Sequence, residues 1–310
     1  MANPTKRAIL IAGPTASGKS AVASAVAERL GGVVVNADSM QVYRDLRILT
    51  ARPSEAEEAR VPHRLFGHVD AACNHSVGHW LREMASVLAD AAAAGQVPVL
   101  VGGTGLYLKA LTLGLSAMPA IPIEIRNRLR AEAETRTAAD LHARLAERDP
   151  VMAERLRPTD TQRVLRALEI FEATGTSLAI FQQVREPALL PAAEVIGVFL
   201  TLERSRLYDN IDRRFDAMMH AGALDEVAGL AARDLDPSLP AMRALGVPDL
   251  IAALRHPSQA SCAISAAKQA TRHYSKRQLT FARHQLPFLP WVEPTAARDA
   301  ILGAWAALPQ

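Results

Sequence analysis

Apolar residues occur along the chain in short runs separated by longer segments of amphipathic pattern. The runs are rich in aliphatic residues and too short for helices, which is typical of strands buried in a parallel sheet. They lie at 8–12, 33–35, 97–101 and 195–202. Between the second and third runs, a helical pattern begins after Ser76, an N-cap residue, and ends near Ala94, before Gly95. This alternation of strand and helix predicts a parallel α/β core.

The pattern changes after residue 115, where the linker-like segment 118–122 precedes helical patterns rich in arginine and glutamate. These helices are predicted at about 123–135, 137–147 and 160–174. The next strand pattern begins only at Val195. We therefore predict a helical insertion domain at 117–190 between two strands of the core sheet, with 1–116 and 191–310 forming the α/β core.

Helical patterns also dominate the last third of the chain. They are predicted at about 204–220, 223–232, 247–254, 259–285 and 295–307. Residues 288–292 are interpreted as an edge strand, because Pro290 disfavours a place in the middle of a sheet. The stretch 44–74 has no clear period and contains two prolines, so we predict irregular structure there.

A glycine loop between the first strand and the first helix matches G-x-x-x-x-G-K-[ST] in full. It consists of Gly13, Pro14, Thr15, Ala16, Ser17, Gly18, Lys19 and Ser20. Backbone N–H groups of such a loop, with the positive end of the following helix, bind phosphate oxygens. Lys19 would reach the terminal phosphates and the Ser20 hydroxyl would ligate Mg²⁺. The predicted fold class is α/β, with a P-loop NTPase-like parallel sheet and an inserted α-helical domain.

Composition excludes several classes of protein. The 310 residues are 49% hydrophobic and 22% charged, which is usual for globular domains. No stretch reaches the roughly 18 consecutive apolar residues of a membrane span. The basic segment 1–7 leads straight into the first strand and the phosphate loop, so we exclude a signal peptide. Cys73 and Cys262 form no CxxC pattern, which argues against a disulfide scaffold or a zinc site and favours a reducing cytoplasm.

Charge is unevenly distributed along the chain. The formal net charge is only +3, yet 250–292 contains no Asp or Glu and six Lys and Arg residues. Segregation of this kind indicates a polyanionic partner. The alternative is a basic surface that is merely solvated.

Polar residues follow the second predicted strand, at the edge where doubly wound sheets bind ligands. Asp38 is followed by Ser39, Gln41 and Tyr43, which suit hydrogen bonding to a heterocycle better than a metal shell. The third strand, where P-loop enzymes often carry a magnesium-binding carboxylate, runs instead into Gly-Gly-Thr-Gly. Asp38 could accept a proton from a nucleophile that attacks a phosphorylated ligand. Alternatively, it forms a turn or a helix cap.

The set of motifs and their order are more specific than any one of them. The motifs are GPTASGKS, NADSMQVYRDLRILTARP, PHRL, GGTGLYLKAL, DTQRVLRALEIF and TRHYSKRQLTF. Together they resemble those of bacterial tRNA dimethylallyltransferases, also called tRNA isopentenyltransferases. The resemblance extends from about Ile9 to Phe288.

This resemblance implies an activity. The phosphate loop would bind dimethylallyl diphosphate instead of ATP. The dimethylallyl group would pass to the exocyclic N6 amine of adenosine 37 in tRNAs that read codons starting with U, giving N6-(dimethylallyl)adenosine and diphosphate. In this family the base is flipped into a channel, as an enzyme must do to reach its edge. The resemblance further implies Mg²⁺ as cofactor, the anticodon stem-loop as partner, and a cytoplasmic location; we expect a monomer.

The resemblance also assigns residues. Asp38 would be the general base, Thr15 would bind the departing diphosphate, and Arg214 would stabilise its charge. The tRNA-contacting positions map onto Asp38, Ser39, Met40, Gln41, Thr104, Arg126, Gln162, Arg163, Val164, Leu165, Arg166, Arg243, Ala244, Leu245, Gly246, Val247 and Pro248. Without the resemblance, Arg214 is interpreted as a solvated arginine on an amphipathic helix.

Two predicted helices carry cations that suit tRNA. Arg163 and Arg166 share one helix face, while neighbouring apolar residues face the core; the arginines could instead pair with Glu169 or Glu172. A second, basic stripe could follow a tRNA backbone. It consists of Lys268, Arg272, Lys276 and Arg283.

One departure from the family pattern bears on tRNA binding. A Gly-Tyr pair of the family is Gly246-Val247 here, so this chain lacks the aromatic side chain that could stack on tRNA at that point. Two other functions compete with prenyl transfer: a small-molecule kinase or NTPase, and an RNA-binding regulatory ATPase. A kinase should carry a metal-binding carboxylate on an apolar strand and does not need the basic stretch. A regulatory ATPase should hydrolyse ATP in response to RNA.

Overall fold

A computed structural model of the protein describes residues 8–308. In this part of the chain six strands form one parallel sheet with the order β3-β2-β4-β1-β5-β6. The strands are β1 (Ala8–Ala12), β2 (Val33–Asn36), β3 (His63–Arg64), β4 (Pro98–Gly102), β5 (Val195–Leu200) and β6 (Trp291–Val292). The predicted parallel core is confirmed, and the strand with Pro290 before it lies at an edge. The basic segment 1–7 lies outside the described residues.

Fourteen α-helices accompany the sheet in the described range. They are α1 (Lys19–Leu30), α2 (Glu55–Arg60), α3 (Val77–Ala93), α4 (Gly105–Leu113), α5 (Ile123–Thr135), α6 (Ala138–Arg148), α7 (Pro150–Arg155), α8 (Thr161–Thr174), α9 (Leu178–Phe181), α10 (Arg204–His220), α11 (Ala223–Ala231), α12 (Val247–Arg255), α13 (Ala260–Gln285) and α14 (Pro294–Ala306). Ser76 caps α3 as predicted, because its side chain accepts a hydrogen bond from the N–H of His79. None of these helices combines the length and the apolar character needed to cross a membrane.

The prediction of irregular structure at 44–74 was wrong in part. Helix α2 lies within this stretch and starts with a capping box, in which Ser54 and Glu57 bond each other's backbone N–H groups. The pattern S-x-x-E was therefore visible in the sequence. Strand β3 extends the sheet at its edge, where His63 pairs with Val34. Two residues are too few to show a period-2 pattern, so this strand could not be predicted from hydrophobic alternation.

Both faces of the sheet are covered. Along β1, Leu10 packs into a cluster with residues of α3 and α4, whereas Ile9 and Ile11 pack with residues of α1 and α14. Because the central strands are buried on both sides, they carry continuous aliphatic runs instead of alternating polar and apolar residues. A separate apolar cluster holds the segment that follows β2 against α10–α13; Tyr43 and Leu46 are fully buried in it.

The chain forms two compact units. One contains the sheet and consists of the residues up to Leu113 and from Leu189 onward, and the other is Gly114–Ala188. The second unit has its own apolar core, in which residues of α5, α6 and α8 are almost completely buried. Its ion pairs include Arg144 with both Glu132 and Glu172. An independent core explains why helical periodicity alone located these helices.

Candidate active site

The phosphate loop connects β1 to α1, as the sequence predicts. Gly18 is the N-cap of α1 with φ of 87°, a backbone conformation that glycine adopts without steric cost. Since glycine has no side chain to cap the helix, the first N–H groups of α1 stay available for another acceptor. Together with the positive end of the helix dipole, they form an anion-binding site.

Lys19 supplies a positive charge inside the loop. Its Nζ donates a hydrogen bond of 2.7 Å to the carbonyl oxygen of Pro14. Burial and the nearby charge of Arg214 lower the pKa of Lys19 to about 8, while the charge of Asp38 acts in the opposite direction. A phosphate group bound in the loop would favour the charged form of this lysine.

The fold brings Thr15 and Arg214 together, although they are far apart in the sequence. Arg214, on α10, donates a hydrogen bond from Nη2 to Oγ1 of Thr15. Burial lowers the pKa of this guanidinium, and the charge of Asp38 partly offsets that effect. Arg214 is therefore not a freely solvated arginine on an amphipathic helix. Its guanidinium contacts the phosphate loop.

Gln278 is part of the site and was missed by sequence reasoning. This buried side chain on α13 accepts a hydrogen bond from the N–H of Thr15 and donates one to the carbonyl oxygen of Gly103, both at 2.9 Å. It thus connects the phosphate loop to the β4–α4 connection. A signal was present: Thr271, Ser275 and Gln278 follow one another at i, i+4 and i+7, a polar row on what proves to be a buried helix face.

Asp38 lies directly after β2 in a hydrogen-bonded turn. Its N–H donates to Oδ1 of Asn36 at 2.8 Å, and its own Oδ1 accepts from the N–H of Met40 at 2.9 Å. The amide of Asn36 also donates to the carbonyl oxygens of Asp38 and Leu65. One carboxylate oxygen of Asp38 therefore takes part in a turn, as the alternative prediction for this residue states. The same turn fixes the position of the carboxylate.

Thr104 and Tyr274 support the segment that carries Asp38. Thr104 Oγ1 accepts from the N–H of Ser39 at 2.9 Å and donates to the Ser39 hydroxyl at 3.2 Å. The phenol of Tyr274, on α13, lies beside Thr104 and Gln278, and burial raises its pKa. Hydrogen bonds thus join four parts of the chain around one site: the phosphate loop, the segment after β2, the β4–α4 connection and α13.

These groups surround a cavity of about 610 Å³. The predicted residues that line it are Thr15, Ala16, Gly18, Lys19, Ser20, Asp38, Ser39, Met40, Gln41, Arg214, Arg243, Ala244 and Leu245. Cations and loop N–H groups line one part of the cavity, and a carboxylate with polar neighbours lines another. Such a cavity has room for an anionic leaving group and for a neutral acceptor beside it.

The chain is similar to known proteins over nearly its whole length. A family model described as IPP transferase matches residues 41–285, and another described as isopentenyl transferase matches residues 6–66. A protein of Methylocella silvestris named tRNA dimethylallyltransferase is 58% identical over 295 residues, which cover 95% of this chain and 97% of that protein. The chain belongs to the tRNA dimethylallyltransferase family.

Solved structures of tRNA dimethylallyltransferases agree with this assignment. A tRNA isopentenylpyrophosphate transferase of Bacillus halodurans is 31% identical and superposes with a TM-score of 0.69, covering 97% of this chain and 96% of that one. A eukaryotic dimethylallyltransferase acting on tRNA is 25% identical and superposes with a TM-score of 0.79. The match covers 97% of this chain and 77% of the eukaryotic chain. The predicted P-loop NTPase-like fold class is confirmed.

Within this tRNA dimethylallyltransferase fold, the segment 243–248 is placed partly at the cavity. Arg243 is exposed and donates from Nε to the carbonyl oxygen of Pro237 at 3.3 Å. Gly246 is the N-cap of α12, and the exposed Pro248 follows in the first turn. Val247 is completely buried in the apolar cluster beside α10, so its side chain offers no surface to tRNA. At the position where the family pattern has tyrosine, this chain therefore has a valine that packs in the core.

The predicted tRNA contacts of the helical unit divide in a similar way. Gln162 and Arg163 are exposed, whereas Arg126, Leu165 and Arg166 are half-buried. The expectation for Val164 is corrected, because this side chain is fully buried in the core of the unit and cannot touch tRNA.

Both arginines of α8 form ion pairs with acids close to them in the sequence. Arg163 pairs with Asp160 at 3.2 Å and Arg166 with Glu169 at 3.4 Å. Glu172, the other acid considered, pairs instead with Arg128 and Arg144.

Most side chains of the basic stripe on α13 already interact with other residues of the protein. Asp216 and Asp212 on α10 form ion pairs with Lys268 at 2.6 Å and Arg272 at 3.2 Å. The guanidinium of Arg283 lies over the ring of Trp291, 5.2 Å from its centre. Lys276 is exposed. Acidic residues of α10 thus neutralise two cations of the stretch 250–292, which itself contains no acidic residue.

Proposed function

We propose that this protein transfers the dimethylallyl group of dimethylallyl diphosphate to the N6 amine of adenosine 37 in tRNAs that read codons starting with U. The observation that carries the proposal is the cavity in which phosphate-binding groups and Asp38 meet, in a chain of the tRNA dimethylallyltransferase family. The products are N6-(dimethylallyl)adenosine in the anticodon loop and free diphosphate.

The phosphate loop is suited to the leaving group. When the bond between the allylic carbon and the diphosphate oxygen breaks, its electron pair passes to that oxygen and negative charge develops there. Lys19, Arg214 and the N–H groups at the start of α1 are fixed around this position before the reaction begins. Preorganised donors of this kind stabilise a charge that forms in the transition state.

Asp38 is suited to the acceptor. The N6 lone pair forms the new bond to the allylic carbon, and the proton that N6 loses passes to the Asp38 carboxylate. The N–H of Met40 donates to Oδ1 of Asp38, and the N–H of Asp38 donates to Oδ1 of Asn36; this turn fixes the carboxylate at the cavity wall. A positioned base of this kind typically contributes about 10²- to 10⁴-fold to the rate.

The donor set at the loop fits Mg²⁺. The Ser20 hydroxyl is exposed and lines the cavity beside the N-terminus of α1. Mg²⁺ in phosphate sites usually takes one or two protein oxygens together with substrate phosphate oxygens and water. Ser20 would hold the ion on the diphosphate, where its charge adds to that of Lys19 and Arg214.

One assay tests the proposal against its competitors. The protein is incubated with Mg²⁺, labelled dimethylallyl diphosphate and unmodified tRNA that reads codons starting with U. We expect label on adenosine 37 and stoichiometric release of diphosphate. Phosphorylation of a small molecule would indicate the kinase reading, and RNA-stimulated ATP hydrolysis without transfer of label would indicate the regulatory ATPase. Either result, in the absence of transfer, contradicts the proposal.

The role of Asp38 is tested by Asp38→Asn. Asparagine keeps an oxygen that can accept from the N–H of Met40, so the turn is retained while the base is lost. We expect kcat to fall at least about a hundredfold with little change in the Kd for tRNA. Asp299→Asn, at an exposed carboxylate on α14, is the matched control. Near-normal turnover of Asp38→Asn would exclude Asp38 as the base.

A further inference from the structure

A second cluster of chemically versatile side chains lies outside the cavity. His68 and His75 each place Nε2 3.1 Å from Oε2 of Glu83. One donor atom from each of the three residues lies within 4.8 Å of the others. None of the three residues lines the cavity of the phosphate loop. Prenyl transfer, as derived above, makes no use of them.

The spacing of these donors matches a zinc site. Zn²⁺ binds histidine nitrogen at about 2.0–2.1 Å and carboxylate oxygen at about 2.0–2.2 Å in tetrahedral geometry. Neighbouring donors of such a tetrahedron are roughly 3.3 Å apart, as follows from those bond lengths. The two distances of 3.1 Å are close to that edge. One nitrogen of each histidine lies within 4.8 Å of the other's, so the three donors can surround one ion.

The surroundings of His75 also suit a metal ligand. Its side chain is only 5% exposed, so the packed residues around it hold the imidazole in place. Its other ring nitrogen, Nδ1, lies 3.5 Å from the hydroxyl of Tyr107. Metal-bound histidines usually have such a partner for the second nitrogen. His68, by contrast, is exposed, which leaves access for the ion and for a water molecule as fourth ligand.

We propose that His68, His75 and Glu83 are the protein ligands of a Zn²⁺ site. The cysteine pattern in the sequence argues against a zinc site, but two histidines and a glutamate separated by up to 15 residues carry no recognised spacing. The fold brings them together because His75 directly precedes the N-cap of α3 and Glu83 lies within that helix. Mg²⁺, which prefers oxygen ligands, is not the ion expected here.

The site would stabilise the part of the chain that carries Asp38. The N–H of His75 donates to the hydroxyl of the buried Tyr43 at 3.4 Å, and that hydroxyl donates to the carbonyl oxygen of Cys73 at 3.2 Å. Trp80, on the same helix as Glu83, donates from Nε1 to the carbonyl oxygen of Asn36 at 2.9 Å. The role of the ion is structural, since neither reacting centre contacts its ligands.

Binding of zinc alone provides the test. The full-length protein is purified without a histidine tag, treated with a chelator, and titrated with ZnCl₂ by calorimetry. We expect one ion per chain and a higher Tm in the presence of zinc. His75→Ala and Glu83→Gln should each weaken binding at least about a hundredfold, because loss of a direct ligand exceeds the 10- to 100-fold cost of losing its supporting partner. His284→Ala, at an exposed histidine on α13, should bind like the wild type.

Two further measurements keep the result decisive. Co²⁺ titration should give visible d–d absorption in the wild type and in His284→Ala, and none in Glu83→Gln. The Tm of each variant in chelator shows whether it folds, so loss of binding by a folded Glu83→Gln protein is attributable to the ligand. Absence of zinc binding by the folded wild type, or undiminished binding by both ligand variants, would overturn the proposal in favour of a hydrogen-bonded cluster.

Discussion

At the scale of single residues, the site depends on hydrogen bonds between side chains and backbone that no motif describes. Gln278 joins the N–H of Thr15 to the carbonyl oxygen of Gly103 and lies beside Tyr274. It touches the loop without adding charge to it. We therefore regard Gln278 as a positioning residue, which under the proposed function would act through Thr15 on the diphosphate.

Replacement of Gln278 should separate donor binding from tRNA binding. Gln278→Ala leaves the N–H of Thr15 and the carbonyl oxygen of Gly103 without their partner, at a cost of roughly 1–3 kcal/mol per buried group. We expect KM for dimethylallyl diphosphate to rise about tenfold while KM for tRNA changes little. Steady-state kinetics with each substrate varied in turn gives the answer. Gln269→Ala, at an exposed position on the same helix, is the control. Equal changes in both KM values would indicate a merely structural role.

At the scale of elements, the ends of β2 and β4 approach each other very closely at the cavity. A Cβ atom on Gly102 would lie 2.2 Å from the carbonyl oxygen of Ala37. The N–H of Ala37 in turn donates to the carbonyl oxygen of Val101 at 2.8 Å. Asp38 follows directly, so the separation of these two strand ends determines where the carboxylate lies.

Gly102→Ala should therefore destabilise the protein. The methyl group meets backbone, which cannot rotate away, and overpacking of this kind costs about 1–3 kcal/mol. Denaturant unfolding with a common m-value gives the free energy of unfolding. Gly229→Ala is the matched control: beyond its chain neighbours and its own helix backbone, no atom lies within 4 Å of the added methyl group, and alanine favours the helix by roughly 0.5–1 kcal/mol. Equal stability of the two variants would contradict the close approach.

The N-terminus of α10, the helix that carries Arg214, depends on the ionised form of Glu203. Hydrogen bonds from the hydroxyl and the N–H of Ser205, and then from the N–H of Arg206, lower the pKa of Glu203 below 4.5. The folded protein thus binds this proton less readily than the unfolded chain. The stabilisation is complete above the unfolded pKa of 4.5 and is lost as the pH falls through the lower folded value.

Glu203→Gln tests this cap. The neutral amide accepts weaker hydrogen bonds from the N–H groups of Ser205 and Arg206 than the carboxylate does, so Tm should fall at pH 7. The difference from the wild type should shrink as the pH falls from 4.5 through the lower folded pKa of Glu203, where the wild-type carboxyl group also becomes neutral. Glu293→Gln is the control, because Glu293 is the N-cap of α14 and its side chain makes no capping hydrogen bond. A Tm difference independent of pH would contradict the assigned cause.

At the scale of the whole molecule, local charge in the sequence is a poor guide to free charge on the surface. The stretch 250–292 contains no acid, yet α10 supplies acids to Lys268 and Arg272. Lys276, on the same helix, is exposed. We expect exposed cations that lack an acidic neighbour to dominate binding to a polyanion, because a paired cation releases fewer counterions.

This difference is measurable in the salt dependence of tRNA binding. Lys276→Gln should reduce the slope of log K against log salt concentration by about one if Lys276 neutralises a phosphate. Lys268→Gln, in which an ion-paired lysine is replaced, is the matched comparison and should change the slope less. Filter binding or fluorescence anisotropy over a range of salt concentrations gives both slopes. A larger effect of Lys268→Gln would show that the ion pair with Asp216 opens when tRNA binds.

Elements that depend on near neighbours could be predicted from the sequence. The aliphatic runs specified the long strands, Ser76 specified the start of α3, and the glycine loop specified a phosphate site at the start of α1. The position of Asp38 directly after the second aliphatic run also predicted that it lies at the edge of the sheet where the carboxyl ends of parallel strands meet. Each of these features is set by period, cap or turn chemistry over a few residues.

Which distant groups meet depends on how the elements pack in three dimensions. Arg214 reaches Thr15 across 199 positions, and Gln278 reaches the same residue across 263. The burial of Val247 and the convergence of His68, His75 and Glu83 were likewise set by packing. The physical reason is that local patterns report which face of an element is apolar, whereas the partner of a polar group depends on which elements pack together.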